Sequence, residues 1–453
     1  MNKRLHQTTS IIMLIPALLL GACSGGGGGN GTSNNTAPPA DNSAAANKNA
    51  TAPAAPKPEP KSDATITVGA SQNWIKDVDR KLAEEFTKES GIKIDFQVNP
   101  DDQYKNVMKT KLATGEAPDI MYLNSGITLS DYQPEKNFLD LTKEPWVAKQ
   151  RDWAIQGSTV DGKIYGFNTW SADGWAMLYN TKLFADNGLT APKSFDELLK
   201  VCDVLLKKGI TPIYDNTKDT WHVGQWFASM SYAFQQEDPG IFKKLNENQA
   251  KFSDLKSAKQ GLVDYKTLYD KGYFGKNSLS NEWTRGYDAM GSQKYAMILV
   301  YTTYQNEVAA KFPESNAKDW KMFPVPIGGN TGFTYGPGIV RVVNKGTKHV
   351  PEIQKYYEFL SREKNLKSFY EARTDLGEMS FKDMEVRPPS NAYKSVTEMA
   401  GQSQSLSLTN TTKFIDGDLM GKLMQDMLIG QLKPEQVLQK FDESRIKSFT
   451  VAK

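Results

Sequence analysis

Strand-like and helix-like patterns of apolar residues alternate along the chain from residue 64 onward. Residues 64–70 form an apolar run typical of a buried strand, and apolar residues then recur at helical spacing over residues 75–86. A strand whose even-numbered apolar residues share one side follows at 92–98, then a helix at 101–115 and a short strand at 118–122. This βαβαβ order predicts an α/β fold with a mostly parallel sheet and helices on both of its faces.

The same alternation continues through the rest of the chain. Ser194 and Glu197 form a capping-box pattern at the start of an apolar helix that ends at Gly209. Residues 295–300 and 339–343 are predicted to be later strands. The chain beyond residue 62 is longer than one hydrophobic core usually serves, so we expect two lobes.

The first residues have a different pattern. A positive patch precedes an apolar run at residues 11–20, which is shorter than the roughly 20 apolar residues that cross a bilayer. The run ends in Leu-Gly-Ala-Cys at residues 20–23, and this closely resembles the bacterial lipobox, in which the cysteine receives diacylglycerol. We therefore predict a signal peptide at residues 1–22 and a lipid anchor on Cys23, at the outer face of the cell membrane.

Residues 23–62 are predicted to be the lipidated N-terminus and a disordered tether. Residues 24–62 contain no aromatic residue and no Ile, Leu, Val or Met, so they cannot bury enough apolar surface to offset the entropy of ordering. As a flexible coil this tether reaches roughly 35 Å on average. Its length and polarity, together with the many lysines of the chain, favour a Gram-positive host.

Composition and charge exclude several classes of protein. The net charge of +3 is too small to favour nucleic acid as the partner. The only cysteines are Cys23 and Cys202, so no disulfide framework is expected in the folded part, and Cys202 has the apolar helical neighbours of a core residue. No second apolar run is long enough to cross a membrane.

Several short motifs, in their order and spacing, resemble those of extracellular solute-binding protein family 1. The motifs are GEAPDI (115–120), GKIYGF (162–167), LYNTKLFADNGLTAPKSFDELL (178–199), KYAMIL (294–299), PVPIGG (324–329) and GIVRVVNKGTKH (338–349). The similarity is greatest to the maltose-binding-protein-like branch, the sugar-binding proteins of ABC importers, and it covers about residues 65–445.

The resemblance implies a two-lobed periplasmic-binding-protein-like fold of class II, with a ligand cleft between α/β lobes joined by crossing strands. The first lobe would comprise residues 63–172 with 336–377, and the second residues 173–335 with 378–453. The resemblance further implies a monomer that binds a carbohydrate, expected to be an oligosaccharide, and delivers it to the transmembrane subunits of an ABC permease. No cofactor, metal or nucleic acid is expected.

Sugar sites combine flat aromatic side chains, which cover C–H faces, with carboxylates and amides, which accept hydrogen bonds from hydroxyls. The sequence has nine tryptophans, each of which could also be a packing residue. We predict that the cleft aromatics come from Trp74, Trp170, Trp221 and Trp226. Trp175, within an apolar strand, is predicted to be a core residue, and Trp320 is left unassigned.

Other candidates follow from family positions. Asn124 and Ser125 follow the strand at 118–122, where the family places a hydrogen-bonding side chain. Asp173 matches a ligand-contacting carboxylate of the family, although a turn cap is the alternative. The family usually has glycine and tryptophan after the strand at 295–300, whereas this chain has VYTTY, so the stacking group would be Tyr301 or Tyr304. Gly336 lies in the predicted second crossing, where small residues let the backbone bend or approach a ligand.

An enzyme is the main alternative class. The three histidines, His6, His222 and His349, have no metal-ligand spacing, and neither a G-x-S-x-G elbow nor a phosphate-binding loop is present. Paired carboxylates for glycoside hydrolysis can be drawn from many positions, so a lipid-tethered glycosidase stays open. A sugar-sensing lobe for a membrane signalling partner is the third hypothesis. Our prediction is a binding protein without catalytic residues.

Overall fold

The computed structural model of the protein describes residues 63–384 and 387–451. The predicted signal peptide, the lipid site at Cys23 and the predicted tether lie outside the described residues. The strands are β1 (Thr65–Ser71), β2 (Lys93–Asn99), β3 (Ile120–Asn124), β4 (Thr159–Val160), β5 (Lys163–Ile164), β6 (Gly166–Phe167), β7 (Ser171–Tyr179), β8 (Thr211–Tyr214), β9 (Tyr295–Tyr301), β10 (Lys321–Phe323), β11 (Phe333–Pro337), β12 (Ile339–Val343), β13 (Glu378–Met379) and β14 (Gln404–Leu406).

Helices follow most of these strands. They are α1 (Asp77–Ser90), α2 (Asp101–Thr114), α3 (Pro134–Asn137), α4 (Asp152–Ser158), α5 (Thr181–Asp186), α6 (Phe195–Lys207), α7 (Thr220–Ala228), α8 (Ser231–Glu237), α9 (Ile241–Asn246), α10 (Lys256–Asp270), α11 (Gly286–Gly291), α12 (Tyr304–Lys311), α13 (Val350–Leu360), α14 (Glu363–Ala372), α15 (Asn391–Ala400), α16 (Leu408–Thr411), α17 (Gly417–Leu428) and α18 (Pro434–Val451). Among the described residues, none of the helices combines the length and the apolar character needed to cross a membrane.

Local sequence explains how the early elements end. Helix α1 stops at Gly91 (φ 83°) and α2 at Gly115 (φ 76°), both in the left-handed region that glycine adopts without a Cβ penalty. Helix α6 is preceded by its N-cap Ser194, whose side chain accepts a hydrogen bond from the Glu197 backbone N–H at 3.3 Å. The predicted βαβαβ run is therefore confirmed. Of the predicted capping box only the Ser194 half is formed, because the Glu197 carboxylate accepts from the backbone N–H of Lys193 at 2.8 Å and not from that of Ser194.

The first sheet has the strand order β2-β1-β3-β12-β6. Strand β1 is parallel to β2 and β3, whereas β12 is antiparallel to β3 and β6. Because β2 is an edge strand, its pattern is only partly buried, and Val98 is 43% exposed. The predicted strand is present, and its apolar side is buried at Ile92, half-buried at Ile94 and Phe96 and exposed at Val98.

The second sheet has the strand order β14-β11-β7-β9-β8, and β10 and β13 also pair with β7. Its centre is antiparallel, since β7 runs opposite to both β9 and β11. The expected parallel pairing therefore holds for β1–β3 and for the two outer pairs of the second sheet, β8 with β9 and β11 with β14, but not for the centre of that sheet. Parallel pairing needs a long crossover connection, whereas β7 and β11 lie side by side where the chain passes between the sheets.

The chain leaves the first sheet after Phe167 and returns at Ile339. At this passage Asp173 of β7 lies opposite Gly336 of β11. Each sheet has its own buried core, one around α1 and α13 and one around α6, α7 and α10. Cys202 is fully buried in the second core, as predicted, and burial raises the pKa of its thiol.

Candidate functional site

A cleft of about 560 Å³ lies between the two sheets. Several of its lining residues are at the carboxyl ends of strands, namely Ser71 of β1, Asn124 of β3 and Tyr301 of β9. The crossing strand β7 contributes Asp173 and Trp175. This position agrees with the general rule that open α/β sheets bind ligands beyond the carboxyl ends of their strands.

On the side of the first sheet, two tryptophans line the cleft. Trp74 follows β1 and meets the edge of Tyr104 at a centroid distance of 5.5 Å. The Tyr104 hydroxyl lies 2.8 Å from the backbone oxygens of both Gly69 and Tyr122, which share its one hydrogen, and this fixes the ring that supports Trp74. Trp170 precedes β7, and the Arg373 guanidinium lies 4.2 Å from the centre of its ring.

On the side of the second sheet, the cleft is lined by five adjoining aromatic residues that we call the aromatic wall: Trp175, Trp221, Trp283, Tyr287 and Tyr301. Trp283 lies at its centre, with ring centroids 5.1 Å from Trp221 and 5.9 Å from Tyr301. Trp175 contacts Trp221 at 6.2 Å. Most of these pairs are tilted or edge-on, an arrangement that aromatic quadrupoles prefer to face-to-face stacking.

Three aromatic predictions need correction. Trp226 is fully buried in the second core and its Nε1 donates to Asp215 at 2.8 Å, because five residues along a helix turn it about 140° away from Trp221. Tyr304 is also fully buried and stacks behind the wall on Tyr287. Trp175, predicted to lie in the core, packs against the core and also lines the cleft.

Asp173 has its two carboxylate oxygens in different situations. Its Oδ1 accepts hydrogen bonds from the backbone N–H groups of Gly174 at 2.9 Å and Thr302 at 3.1 Å, and from the Thr302 hydroxyl. Its Oδ2 accepts none from the residues that the structure describes, and Asp173 lines the cleft. Burial raises the pKa of Asp173 to about 7, against the opposing effect of these hydrogen bonds. One oxygen of Asp173 is therefore used within the protein, whereas the other has no hydrogen-bond donor among the described residues.

Two further carboxylates line the cleft near the aromatic wall. Glu307 accepts hydrogen bonds from the hydroxyls of Tyr301 and Tyr287, and burial raises its pKa. Asp375 accepts two hydrogen bonds from Arg373, at 2.7 Å each. Burial alone would raise the pKa of Asp375, but the charge and hydrogen bonds of Arg373 outweigh burial and lower it.

The remaining predicted site residues differ in how far their side chains are exposed in the cleft. Asn124 is exposed in the cleft lining. Ser125 is 1% exposed, and its hydroxyl donates to the Pro337 carbonyl, so this side chain ties β3 to the crossing. Gly336 also lines the cleft, where a Cβ would overlap the side chain of Asn410. A larger residue there would have to displace the Asn410 side chain.

Sequence reasoning missed several residues of this site. Trp283 and Tyr287 come from the short segment before and within α11, and Glu307 from α12. The one available signal was Trp283 itself, a tryptophan in the polar segment SNEWTRGYD, which is the same kind of context that indicated Trp221. Glu307 and Asp375 had no sequence signal, because their positions depend on how distant segments meet.

The comparisons with known proteins agree with this architecture. The family model of bacterial extracellular solute-binding proteins matches residues 71–367, and the chain belongs to this family. The chain is similar to the multiple sugar-binding protein of Streptococcus mutans, with 21% identity over 297 residues, which is 64% of this chain and 70% of that protein.

Two solved structures share the fold. A chitin oligosaccharide binding protein has a TM-score of 0.72 and 22% identity, covering 86% of this chain and 100% of that one. A sugar transporter structure from Bacillus licheniformis in complex with stachyose has a TM-score of 0.71 and 20% identity, covering 85% and 100%. The predicted two-lobed solute-binding fold is confirmed by these matches and by the cleft between the sheets.

Proposed function

We propose that the protein captures a carbohydrate, and specifically an oligosaccharide, in the cleft and delivers it to an ABC importer. The observation that carries this proposal is the pairing of aromatic faces on both sides of the cleft with carboxylates between them. Trp74 and Trp170 lie on one side and the aromatic wall on the other, with Asp173 on the crossing strand between the sheets.

This arrangement suits the chemistry of a sugar. Aromatic rings remove the C–H faces of a pyranose from water and lose little side-chain freedom in doing so. A carboxylate oxygen such as Asp173 Oδ2 accepts hydrogen bonds from hydroxyls, and a buried hydroxyl without a partner costs roughly 1–3 kcal/mol. The names of the relatives, which refer to sugars and chitin oligosaccharides, support the same class of ligand.

The charges of the cleft favour an uncharged sugar over an acidic one. Two lysines, Lys76 and Lys105, line the cleft together with six carboxylates: Asp101, Asp131, Asp173, Glu307, Asp375 and Asp418. A uronic acid would place another negative charge in a partly desolvated space that already has an excess of them, which costs several kcal/mol when charges are close.

Anchoring and delivery complete the proposal. A lipid on Cys23 would hold a monomer at the outer face of the membrane, and residues 24–62 would act as a flexible arm that raises its effective concentration near the permease. Residues 63–172 with 336–377 would form one lobe, and residues 173–335 with 378–453 the other. Ligand binding would close the lobes and give the permease both surfaces in one arrangement.

A thermal-shift screen of the chain from residue 63 against raffinose, stachyose and chitin oligosaccharides tests the proposal. Binding to the folded state alone stabilises it by about 2.7 kcal/mol at a hundredfold excess over the dissociation constant. Mannitol serves as the control, since it has hydroxyls without a pyranose face. No stabilisation by any carbohydrate would contradict the proposal.

Mass spectrometry of the bound ligand separates the binding protein from the alternatives. An intact oligosaccharide after long incubation is the expected result, whereas shortened products would indicate the tethered glycosidase. If the protein binds the sugar but its deletion does not change sugar uptake, a sensing lobe is indicated instead.

A further inference from the structure

Arg373 is a buried arginine that contacts two residues of the cleft without lining the cleft itself. It follows helix α14 and is 1% exposed. Its guanidinium lies 4.2 Å from the centre of the Trp170 ring, and its Nε and Nη2 donate to the two carboxylate oxygens of Asp375 at 2.7 Å each. One side chain thus contacts both an aromatic face and a hydrogen-bond acceptor of the proposed sugar site.

The surroundings leave Trp170 little freedom. At the five-membered ring of the indole, a Cβ at Gly338 would overlap Trp170 Cδ1, so the ring fits closely against the Gly338 backbone. Arg373 also forms a longer ion pair with a second carboxylate, Asp79, at 3.7 Å from Nη1, which is beyond hydrogen-bond distance. The indole therefore lies against Gly338 and the guanidinium, and its orientation depends on both.

We propose that Arg373 is a positioning residue of the sugar site, which holds the Trp170 ring and the Asp375 carboxylate in the geometry that the ligand meets. The proposal rests on the function proposed above. Arginine suits this role because its planar fork binds a carboxylate through two parallel hydrogen bonds and stacks on an aromatic face at the same time. Lysine keeps the positive charge but lacks the fork.

The electrostatic role of Arg373 gives a second, independent measurement. Arg373 lowers the pKa of Asp375 against the effect of burial, so removing Arg373 should raise that pKa. As the pH falls, Asp375 would then become protonated at a higher pH, and the loss of sugar affinity on the acid side would begin at that higher pH. The charged and titratable groups that face Asp375 are Arg373, Lys76, Arg387, Asp173, Glu307, Tyr287 and Tyr301. A side chain that only supports packing would not change the pH profile in this way.

The experiment compares Arg373→Lys, Arg373→Met and Gly338→Ala with the unchanged full chain, using the oligosaccharide that gives the largest thermal shift. Arg341→Lys is the matched control, because Arg341 is also buried and pairs with Asp79 at 3.2 Å but does not line the cleft. Affinity is measured by calorimetry from about pH 3.5 to pH 8, so that the acid limb governed by Asp375 falls within the range. Folding is followed by circular dichroism and the tryptophan environment by fluorescence.

Arg373→Lys and Gly338→Ala should each weaken binding by about fivefold or more and alter the fluorescence, without moving the pH profile. Arg373→Met should weaken binding further and shift the acid limb of the profile to higher pH. Arg341→Lys should lose stability but keep its affinity. If Arg373→Met does not fold, the affinities of Arg373→Lys and Gly338→Ala test the proposal.

The proposal is overturned if folded Arg373 variants keep the affinity and pH profile of the unchanged chain, or if Arg341→Lys weakens binding as much as Arg373→Lys. Failure of the unchanged chain to bind any carbohydrate would instead overturn the proposed function. The two failures are therefore distinguishable.

Discussion

Two tryptophans of helix α7 offer a matched pair of substitutions that separates binding from folding. Trp221 is half-buried in the aromatic wall, whereas Trp226 is fully buried in the core of the second sheet. Replacing each by leucine removes the same indole from the same helix and retains a side chain with good helix propensity. The two variants should therefore differ in which property they lose.

The expected magnitudes follow from the contacts of each ring. Trp226 donates a hydrogen bond to buried Asp215, and losing a partner of a buried acceptor costs about 1–3 kcal/mol. The lost volume adds to this, since truncating a buried aromatic residue to alanine costs about 3–5 kcal/mol and leucine restores part of the packing. We expect Trp226→Leu to lower the free energy of unfolding by about 3 kcal/mol, with affinity unchanged within about twofold.

Trp221→Leu should lose affinity as well as some stability. The substitution removes ring contacts with Trp175 and Trp283, and two such aromatic pairs together contribute about 1–3 kcal/mol. Because leucine keeps part of the packing, stability should fall by about 1–2 kcal/mol. Affinity should fall by about tenfold or more, which corresponds to about 1.4 kcal/mol.

Calorimetric titration at 20 °C and urea unfolding of both variants provide the measurements. Equal losses of affinity in the two variants would show that binding responds to the stability of the fold and not to the wall. Unchanged affinity in Trp221→Leu would remove this ring from the proposed site.

Three further predictions follow. Because burial raises the pKa of Asp173 to about 7, above the value of about 3.9 in an unfolded chain, the native state binds more protons between these values. The contribution of Asp173 to the free energy of unfolding is therefore present below about pH 4 and is lost as the pH rises towards 7. Urea unfolding at pH 5 and pH 7.5 measures this decrease in stability, and Asp173→Asn should remove it. Cys23→Ala should leave sugar affinity unchanged but release the protein into the medium or leave it uncleaved, and a fully processed, membrane-bound variant would contradict the lipid anchor. Oligogalacturonides should bind at least about tenfold more weakly than neutral oligosaccharides of equal length in 50 mM salt, with a smaller difference at high salt. Equal affinities would argue against a role for the carboxylates of the cleft.

The fold was predictable because its early elements carry local signals. The period of the apolar residues, the glycines at 91 and 115 and the capping serine at 194 each act over a few residues, so sequence alone indicates them. The antiparallel centre of the second sheet was not predictable in this way. It depends on β7 meeting β9 and β11, which are more than a hundred residues away in sequence.

The site was predictable where aromatic or amide side chains are at the ends of strands. Trp74, Asn124 and Tyr301 are at or just beyond the ends of strands and line the cleft. Trp226 shows the limit of this reasoning, since a polar sequence context does not indicate which face of a short helix a residue occupies. Arg373 shows a second limit. A buried arginine that acts through its neighbours has no signature in sequence.

The buried thiol of Cys202 has a practical consequence. A chain that begins at residue 63 has no other cysteine, and this one is fully buried, with burial raising the pKa of its thiol and so lowering its reactivity. A cysteine introduced at Thr284, which is exposed at the edge of the cleft, should therefore react selectively with a maleimide dye. The dye would report occupancy of the cleft as a change in emission, which would turn the protein into an optical sensor for its own ligand.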